Sequence, residues 1–366
     1  MRVLHVFGAM DVGGAEMRTL ELMDALQDHD VAFDFLTLSG REGALSDRIS
    51  TLGGRIYPLA ITPTFPLRLY RLLRRARPAV VDSHVATFSG IIVMVALAAR
   101  VPRRIAHFRS DGDGHADSVR RKAQRALMTL MIRLAATDIV GVSPGSLALG
   151  YRSSWSSDPR AKVVANGIAA SQTMPAPRSV HDPSRVHLLH VGRPSLEKDR
   201  PRAVRVLAEV RRQGLDADLS LAGGVGPDRI ALQDAIDRTG LAAHVHQLGQ
   251  RSDARALMAS ADLLLLTSNR EGLPGVVLEA LSEGTPVVAT DLPGVRFIGG
   301  RLPGVIAVPA SASDPVWAEA VTAALAYARD PGWRRSLRKQ FSRSEFSLDQ
   351  SVQRHLRLYT GTLEAE

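Results

Sequence analysis

The most constraining stretch of this chain runs from Leu263 to Asp291. A short apolar run, Leu263 to Leu266, stops at a polar turn, and Pro274 then supplies the fixed φ that suits a first helical turn. The spacing predicts strand, loop and helix. A loop so placed leaves the carboxyl end of a strand, where open α/β sheets bind ligands. Glu271 falls in that loop and Glu279 on the helix after it. Two carboxylates eight positions apart can then face one crevice. The backbone N–H groups of Gly272, Gly275 and Val276, near the helix start, suit a phosphate or a sugar hydroxyl. Any isolated pair of this kind reads more simply as an ordinary loop acid and an exposed helix acid.

The surroundings repeat that strand, loop and helix grammar. Val3 to Phe7 is short and apolar, is followed by Gly8, Gly13 and Gly14, and leads into a helical pattern through Glu16, Leu20, Met23 and Leu26. Further strands are predicted at 31–38, 55–58, 80–84, 104–108, 138–142 and 162–165, with helices between them. Alternation of this kind predicts a parallel sheet covered by helices on both faces. Residues 171–185 hold three prolines among polar residues without periodicity, which reads as a linker. The pattern then restarts at Val186, with strands near 186–191, 219–222, 245–248, 263–266, 287–289 and 305–308. The expected layout is a first domain over 1–170, a linker over 171–185, a second domain over 186–345 and a last helical segment over 346–366.

Two cations sit in the first loop of the second half. His190-Val191-Gly192-Arg193 ends a strand, and Lys198 follows in the same loop. Arg forks onto two oxygens and Lys acts as a point charge, so the pair suits a diphosphate leaving group. Lys198 is one of only four lysines beside 42 arginines, which favours a specific use over solvation.

Glu271 and Glu279 with Gly-Leu-Pro between them, followed by Gly284-Thr-Pro-Val-Val-Ala-Thr290, resemble the retaining glycosyltransferases of family 4. Gly13-Gly14-Ala15-Glu16, Val191-Gly192-Arg193 with Glu197-Lys198, Val142-Ser143, Asn166-Gly167-Ile168 and Gly223-Gly224-Val225-Gly226-Pro227 match the same family in order. The chain departs from its pattern at Pro194 and at Asp199-Arg200-Pro201. The resemblance implies the GT-B fold, two Rossmann-like doubly wound α/β domains facing a central cleft, with the last helix crossing back to the first domain. It implies catalytic roles for Arg193, Lys198, Glu271 and His107. It also implies a donor-binding set of Gly13, Gly14, Arg193, Lys198, Gly224, Glu271, Gly272, Leu273, Pro274, Gly275, Val276 and Glu279. Glu271 would contact the donor sugar, Glu279 the nucleotide ribose, and His107 would face the sugar. His84, Arg109, Asp111 and Asp113 stay as further candidates, because a lone His or Asp there is more often a packed or capping residue.

Composition narrows the alternatives. Zero cysteines exclude a disulfide framework and a thiolate metal site, and the histidines show no metal-ligand spacing. No metal and no cofactor are expected beyond the nucleotide diphosphate sugar as donor substrate. The apolar window 90–99 is half the length of a membrane span. Basic residues exceed acidic ones by 23 to 15 over residues 1–180 but only by 23 to 22 over 181–366. Arg68, Arg71, Arg74, Arg75 and Arg77, with Arg120, Arg121, Lys122 and Arg125, carry much of that excess. They read as solvated helix faces or as a surface for anionic lipid headgroups. No helix-turn-helix, zinc-finger or RNP pattern accompanies the charge, and nucleic acid is not an expected partner.

The expectation is a cytoplasmic hexosyltransferase, peripheral on the inner face of the cell membrane. Its acceptor would be a saccharide or a lipid-linked hydroxyl, and its place cell-surface polysaccharide or glycolipid synthesis. A GT-B nucleotide-sugar epimerase and a catalytically silent scaffold share the fold and remain open. A nicotinamide dehydrogenase would want Gly-x-Gly-x-x-Gly after the first strand, which residues 8–14 do not supply.

Overall fold

A computed structural model describes residues 1–110, 118–170, 185–328 and 330–364. The predicted linker over 171–185, apart from Arg185, lies outside the described residues, as do Asp111 and Asp113. The chain divides into two compact units, Met1–Gly167 with Leu348–Glu366, and Ile168–Ser347.

The first unit carries β1 (Arg2–Phe7), β2 (Ala32–Thr37), β3 (Ile56–Pro58), β4 (Val80–Ser83), β5 (Arg103–Phe108), β6 (Asp138–Gly141) and β7 (Ala161–Val163). Between them run α1 (Gly14–Ala25), α2 (Ser46–Thr51), α3 (Phe65–Ala76), α4 (Ser89–Ala98), α5 (Val119–Ala135) and α6 (Pro144–Gly150). The strands form one sheet in the order β3-β2-β1-β4-β5-β6-β7, with every pairing parallel.

Strand alternation sorts its side chains between two faces. Leu4, Val6, Leu36 and Val81 pack against Phe65, Leu69 and Leu73 of α3 and Ile92 and Ala96 of α4. Val3, Phe7, Val80 and Ile105 point the other way, toward Leu20 and Met23 of α1. His5, Asp82 and His107 share the parity of that second set and are buried with it.

The second unit carries β8 (Val186–Val191), β9 (Ala217–Ala222), β10 (Val245–Gly249), β11 (Leu263–Leu266), β12 (Val287–Thr290) and β13 (Val305–Val308). Its helices are α7 (Arg200–Arg212), α8 (Arg229–Thr239), α9 (Ala254–Ser260), α10 (Gly275–Ser282), α11 (Pro293–Gly299), α12 (Asp314–Ala328) and α13 (Pro331–Arg343). The sheet order is β10-β9-β8-β11-β12-β13, again all parallel. Leu188, Leu219, Leu263 and Leu265 pack against Val204 and Leu207 of α7 and the fully buried Trp317 of α12. The final helix, α14 (Leu348–Thr360), belongs to the first unit, where Val352, Leu358 and Tyr359 join the core of Val3 and Phe33.

The result is the expected pair of Rossmann-like parallel sheets. In each, the strand order reverses beside the first strand, between β1 and β4 and between β8 and β11. Such switch points open a crevice at the strands' carboxyl ends. Among the described residues no helix is long and apolar enough to cross a membrane, and the apolar window 90–99 lies largely on α4.

Candidate active site

In the second unit the switch point brings together the loops after β8 and β11. Lys198 Nζ forms an ion pair with Glu271 Oε1, with side chains 18 % and 17 % exposed. The backbone fixes that pair. Thr267 Oγ1 donates to the carbonyls of Lys198 (3.0 Å) and Asp199 (2.8 Å), and the Asn269 N–H donates to the Glu197 carbonyl at 2.7 Å. A second ion pair, Arg270 with Glu197, ties the same loops at their outer edge. Arg193 lies exposed in the β8 loop.

The loop after β9 closes against this assembly through glycines. A Cβ on Gly223 would strike the Gly192 carbonyl oxygen, and one on Gly226 would lie 2.7 Å from Pro194 Cβ. Behind them Arg200 grips Asp228 with Nε and Nη2, both at 2.6 Å, and gives Nη1 to the Gly224 carbonyl at 3.2 Å. Both side chains of that fork are buried. His190, beneath the Lys198 carbonyl, is pushed down to about 4 by burial and by the Lys198 charge. It is therefore neutral at physiological pH.

Helix α10 starts where Pro274 stands as its N-cap. Gly272, Leu273 and Pro274 turn inward and are buried, whereas Gly275, Val276 and Glu279 lie on the half-buried face of the helix. That spacing of three and four residues puts them on one side, with Val277, Leu278 and Leu281 on the core side. The loop is held further by Gly294 of α11, which backs onto the Gly272 carbonyl with no room for a side chain.

In the first unit Gly13 is the extended N-cap of α1 and Gly14 its exposed first residue. Beside this loop the face covered by α14 holds a buried polar chain. Arg109 Nε donates to His84 Nδ1 at 2.9 Å, and His84 Nε2 lies 2.9 Å from His5 Nδ1. Arg109 Nη1 donates to Asn166 Oδ1 at 3.0 Å. Asp82 Oδ1 is 3.7 Å from His84 Nε2 and 3.4 Å from His107 Nδ1. His107 is 1 % exposed, its ring 4.8 Å from that of His84 and 6.4 Å from that of His355 on α14.

Burial pushes His5 down to about 3 and His355 to about 4, and it holds His84 and His107 well below the usual histidine range. Burial raises Asp82, against the pull of His5 and Arg109. His5, Asp82 and His84 bring ligand atoms within 4.8 Å of one another, a spacing a cation could use. The hydrogen bonds favour another reading. A neutral His84 that accepts at Nδ1 carries its proton on Nε2 and hands it to His5 Nδ1, so neither nitrogen offers a lone pair to a metal. The nearby Arg109 charge also opposes a second cation.

The structure thus brings Lys198, Glu271 and the glycines of 223–226 into one assembly, with Arg193 and the α10 face in the same unit. Gly13, Gly14 and His107 lie in the other unit, and His107 is enclosed. Sequence reading passed over Arg200, Asp228, His5, Asp82 and His355. The available signal was a charged or polar residue on an otherwise apolar strand, as at His5 within Val3 to Phe7.

Comparison with known proteins agrees with this fold. Residues 13–167 match the family described as "Glycosyl transferase 4-like domain", and residues 185–326 match "Glycosyl transferases group 1". The chain is 26 % identical over 298 residues to the capsular polysaccharide biosynthesis glycosyltransferase CapH of Staphylococcus aureus, covering 80 % of this chain and 82 % of CapH. It is also 26 % identical over 381 residues to the putative glycosyltransferase EpsF of Bacillus subtilis, covering 100 % of this chain and 98 % of EpsF. The fold superposes on Anabaena HepE, solved with UDP and glucose, with a TM-score of 0.78 at 17 % identity over 99 % of both chains.

Proposed function

This chain belongs to the group 1 glycosyl transferases, and from that premise we propose that it moves a hexose from a nucleotide diphosphate sugar to an acceptor hydroxyl, with retention and without a metal. The observation that carries the reading is the Lys198–Glu271 ion pair at the second switch point, with Arg193 exposed in the same loop. Bond cleavage develops positive charge on the sugar and negative charge on the departing diphosphate. Fixed cations at that oxyanion stabilise the transition state more than the ground state.

Each residue then has a distinct task. Lys198 and Arg193 take the diphosphate, the first as a point charge and the second as a fork. Glu271 holds Lys198 in the free enzyme and exchanges that contact for donor sugar hydroxyls. Glu279 binds the ribose, and the backbone N–H groups of Gly275 and Val276 assist at the helix start. Gly224 lies where the base enters. Gly13 and Gly14 line the donor side of the first unit. His107, enclosed in the first unit, supports that unit's polar chain.

The acceptor we favour is a lipid-linked saccharide in cell-surface polysaccharide synthesis. That choice is supported by the relative CapH, a capsular polysaccharide biosynthesis glycosyltransferase, and by the surface of the first unit. Arg68, Arg71, Arg74 and Arg75 are exposed on α3, opposite its buried Phe65, Leu69 and Leu73. Helix α5 exposes Leu127, Leu130 and Leu134 beside Arg133. Exposed basic residues and an exposed apolar stripe in one unit suit an anionic membrane surface.

The test is donor hydrolysis and transfer across a panel of nucleotide sugars, with wild type beside Glu271→Ala and Lys198→Ala. Selective use of one donor, lost in both variants, is the expected result. Donor binding that neither substitution weakens would move the reading to a silent scaffold. Flotation with phosphatidylglycerol vesicles, lost on Arg71→Glu/Arg74→Glu, tests the membrane surface.

A further inference from the structure

We propose that Arg109 is the centre of an oxyanion subsite in the first unit, one that takes a phosphate or diphosphate group and is aimed by His84 and Asn166. The proposal rests on the transferase reading only for which substrate supplies the anion.

Strand order places the residue. Arg109 directly follows β5, His84 directly follows β4, and β4 adjoins β1 at the switch point of the first sheet. Arg109 therefore stands at the carboxyl edge where such sheets bind ligands.

Its partners differ from those of four other arginines of this unit, although Arg104, among the described residues, likewise lacks a carboxylate partner and donates to the carbonyls of Ala135, Val101 and Pro102. Arg2, Arg41, Arg103 and Arg160 are each paired with a carboxylate, those of Asp34, Asp11, Asp138 and Asp158. Arg109 instead donates Nε to the neutral His84 ring and Nη1 to the Asn166 amide oxygen, at 2.9 and 3.0 Å. Among the described residues no carboxylate is in ion-pair contact with it. Burial lowers the Arg109 pKa, and Asp82 and Glu16 oppose that from beyond ion-pair contact. Two neutral acceptors fix the direction of a guanidinium without cancelling its charge. Such a group keeps N–H donors for a forked bond to two oxygens.

The aiming residues are themselves locked. The His84 ring stacks on Phe7 with centroids 4.3 Å apart and planes 19° apart. Its Nε2 proton is directed at His5 Nδ1, with Asp82 behind. The His84 tautomer that can receive Arg109 is thereby selected by groups with no access to solvent. A chain of this kind orients the cation it ends on.

Phosphate oxygens reach this reaction from two sources, the donor's diphosphate and a phosphate on the acceptor, and the chemistry that binds them is shared. The first arm of the test titrates inorganic pyrophosphate into the full chain carrying Lys198→Ala/Arg193→Ala, with and without Arg109→Gln. Adding Arg109→Gln is expected to weaken pyrophosphate binding at least tenfold, and Arg109→Lys to restore part of it. Equal affinity with and without Arg109→Gln, at an unchanged melting temperature, overturns the subsite. If Arg109→Gln does not fold, the titration is read on Arg109→Lys, where wild-type affinity likewise overturns it.

The second arm measures KM in otherwise wild-type enzyme. A rise for the donor alone assigns the anion to its diphosphate, and a rise for the acceptor alone assigns it to the acceptor. His84→Gln, a positioning change, is expected to raise the same KM, with no further loss when combined with Arg109→Gln. Unchanged KM for both substrates argues against the subsite. Absence of turnover with every donor would defeat the transferase reading, while the pyrophosphate arm would still decide the subsite.

Discussion

Lys198 and Glu271, 73 positions apart, meet as an ion pair because β8 and β11 are neighbours in the second sheet. Each is the other's counter-charge in a half-buried setting. Lys198→Ala should lower turnover about 100- to 1000-fold, the scale of losing one donor to a developing oxyanion, with a smaller effect on donor affinity. Steady-state kinetics beside direct donor titration checks this. Equal losses in turnover and affinity would contradict a leaving-group role.

Arg193 gives the cleaner separation of chemistry from folding. It is exposed, and surface substitutions change stability by about 0.5 kcal/mol or less. Arg193→Ala should melt with the wild type yet turn over at least tenfold more slowly. A melting shift of several degrees would show an unrecognised structural role.

The buried Arg200–Asp228 fork predicts an asymmetry. Asp228→Ala strands a guanidinium that is 3 % exposed, and removing one partner of such a pair costs about 3–5 kcal/mol. Arg200→Met/Asp228→Leu should recover most of that loss while still raising donor KM, because the Arg200 bond to the Gly224 carbonyl is gone. Urea midpoints for wild type and the two variants test it, and a double variant no more stable than Asp228→Ala would contradict it.

Two glycines in one loop should behave differently. Gly226→Ala drives a methyl into Pro194, whose Cβ and Cγ lie 2.7 and 2.8 Å from its place. Overpacking of that kind costs about 1–3 kcal/mol, and the displaced Pro194 should raise donor KM. Gly224→Ala meets nothing within 4 Å and should leave stability unchanged. Similar melting temperatures for the two variants would refute the close approach.

The histidine chain predicts acid lability. His5 at about 3 and His355 at about 4 in the folded chain compare with 6.5 when exposed, and His84 and His107 are depressed in the same direction. Below pH ~6.5 the unfolded chain binds protons that the folded chain refuses, so stability falls as pH drops. Each such histidine steepens that fall by up to about 1.4 kcal/mol per pH unit. The raised Asp82 acts oppositely above the ordinary carboxyl value of 3.8, where the folded state holds the extra proton. Urea midpoints at pH 7.5, 6 and 5 should decline in order, and His355→Leu should flatten the decline. A flat profile in wild type would contradict neutral burial of these rings.

The doubly wound class was legible from residues alone, because short apolar runs alternating with helical periodicity have few other solutions. Glu271, Glu279, Arg193 and Lys198 were legible for a related reason. Glu271, Arg193 and Lys198 occupy loops at predicted strand ends and Glu279 the helix that follows, and the residues around them form a pattern. His5, Asp82 and His355 gave no such signal. One polar residue on an apolar strand has no meaning until the sheet order sets its neighbours, and His355 reaches the cluster only because α14 packs on the first sheet.

The sequence by itself determined the two parallel sheets, the glycosyltransferase resemblance and the loops that carry the charged residues, since strand periodicity and loop composition are local properties. Tertiary structure alone decided which charges meet. Lys198 finds Glu271 and Arg200 finds Asp228 through sheet order and loop closure, with glycines conceding the space. Arg109 meets neutral His84 and Asn166 because the strands end beside it, where Arg2, Arg41, Arg103 and Arg160 meet carboxylates. Contacts between residues distant in the chain are set by packing, and packing is not a property of any one stretch.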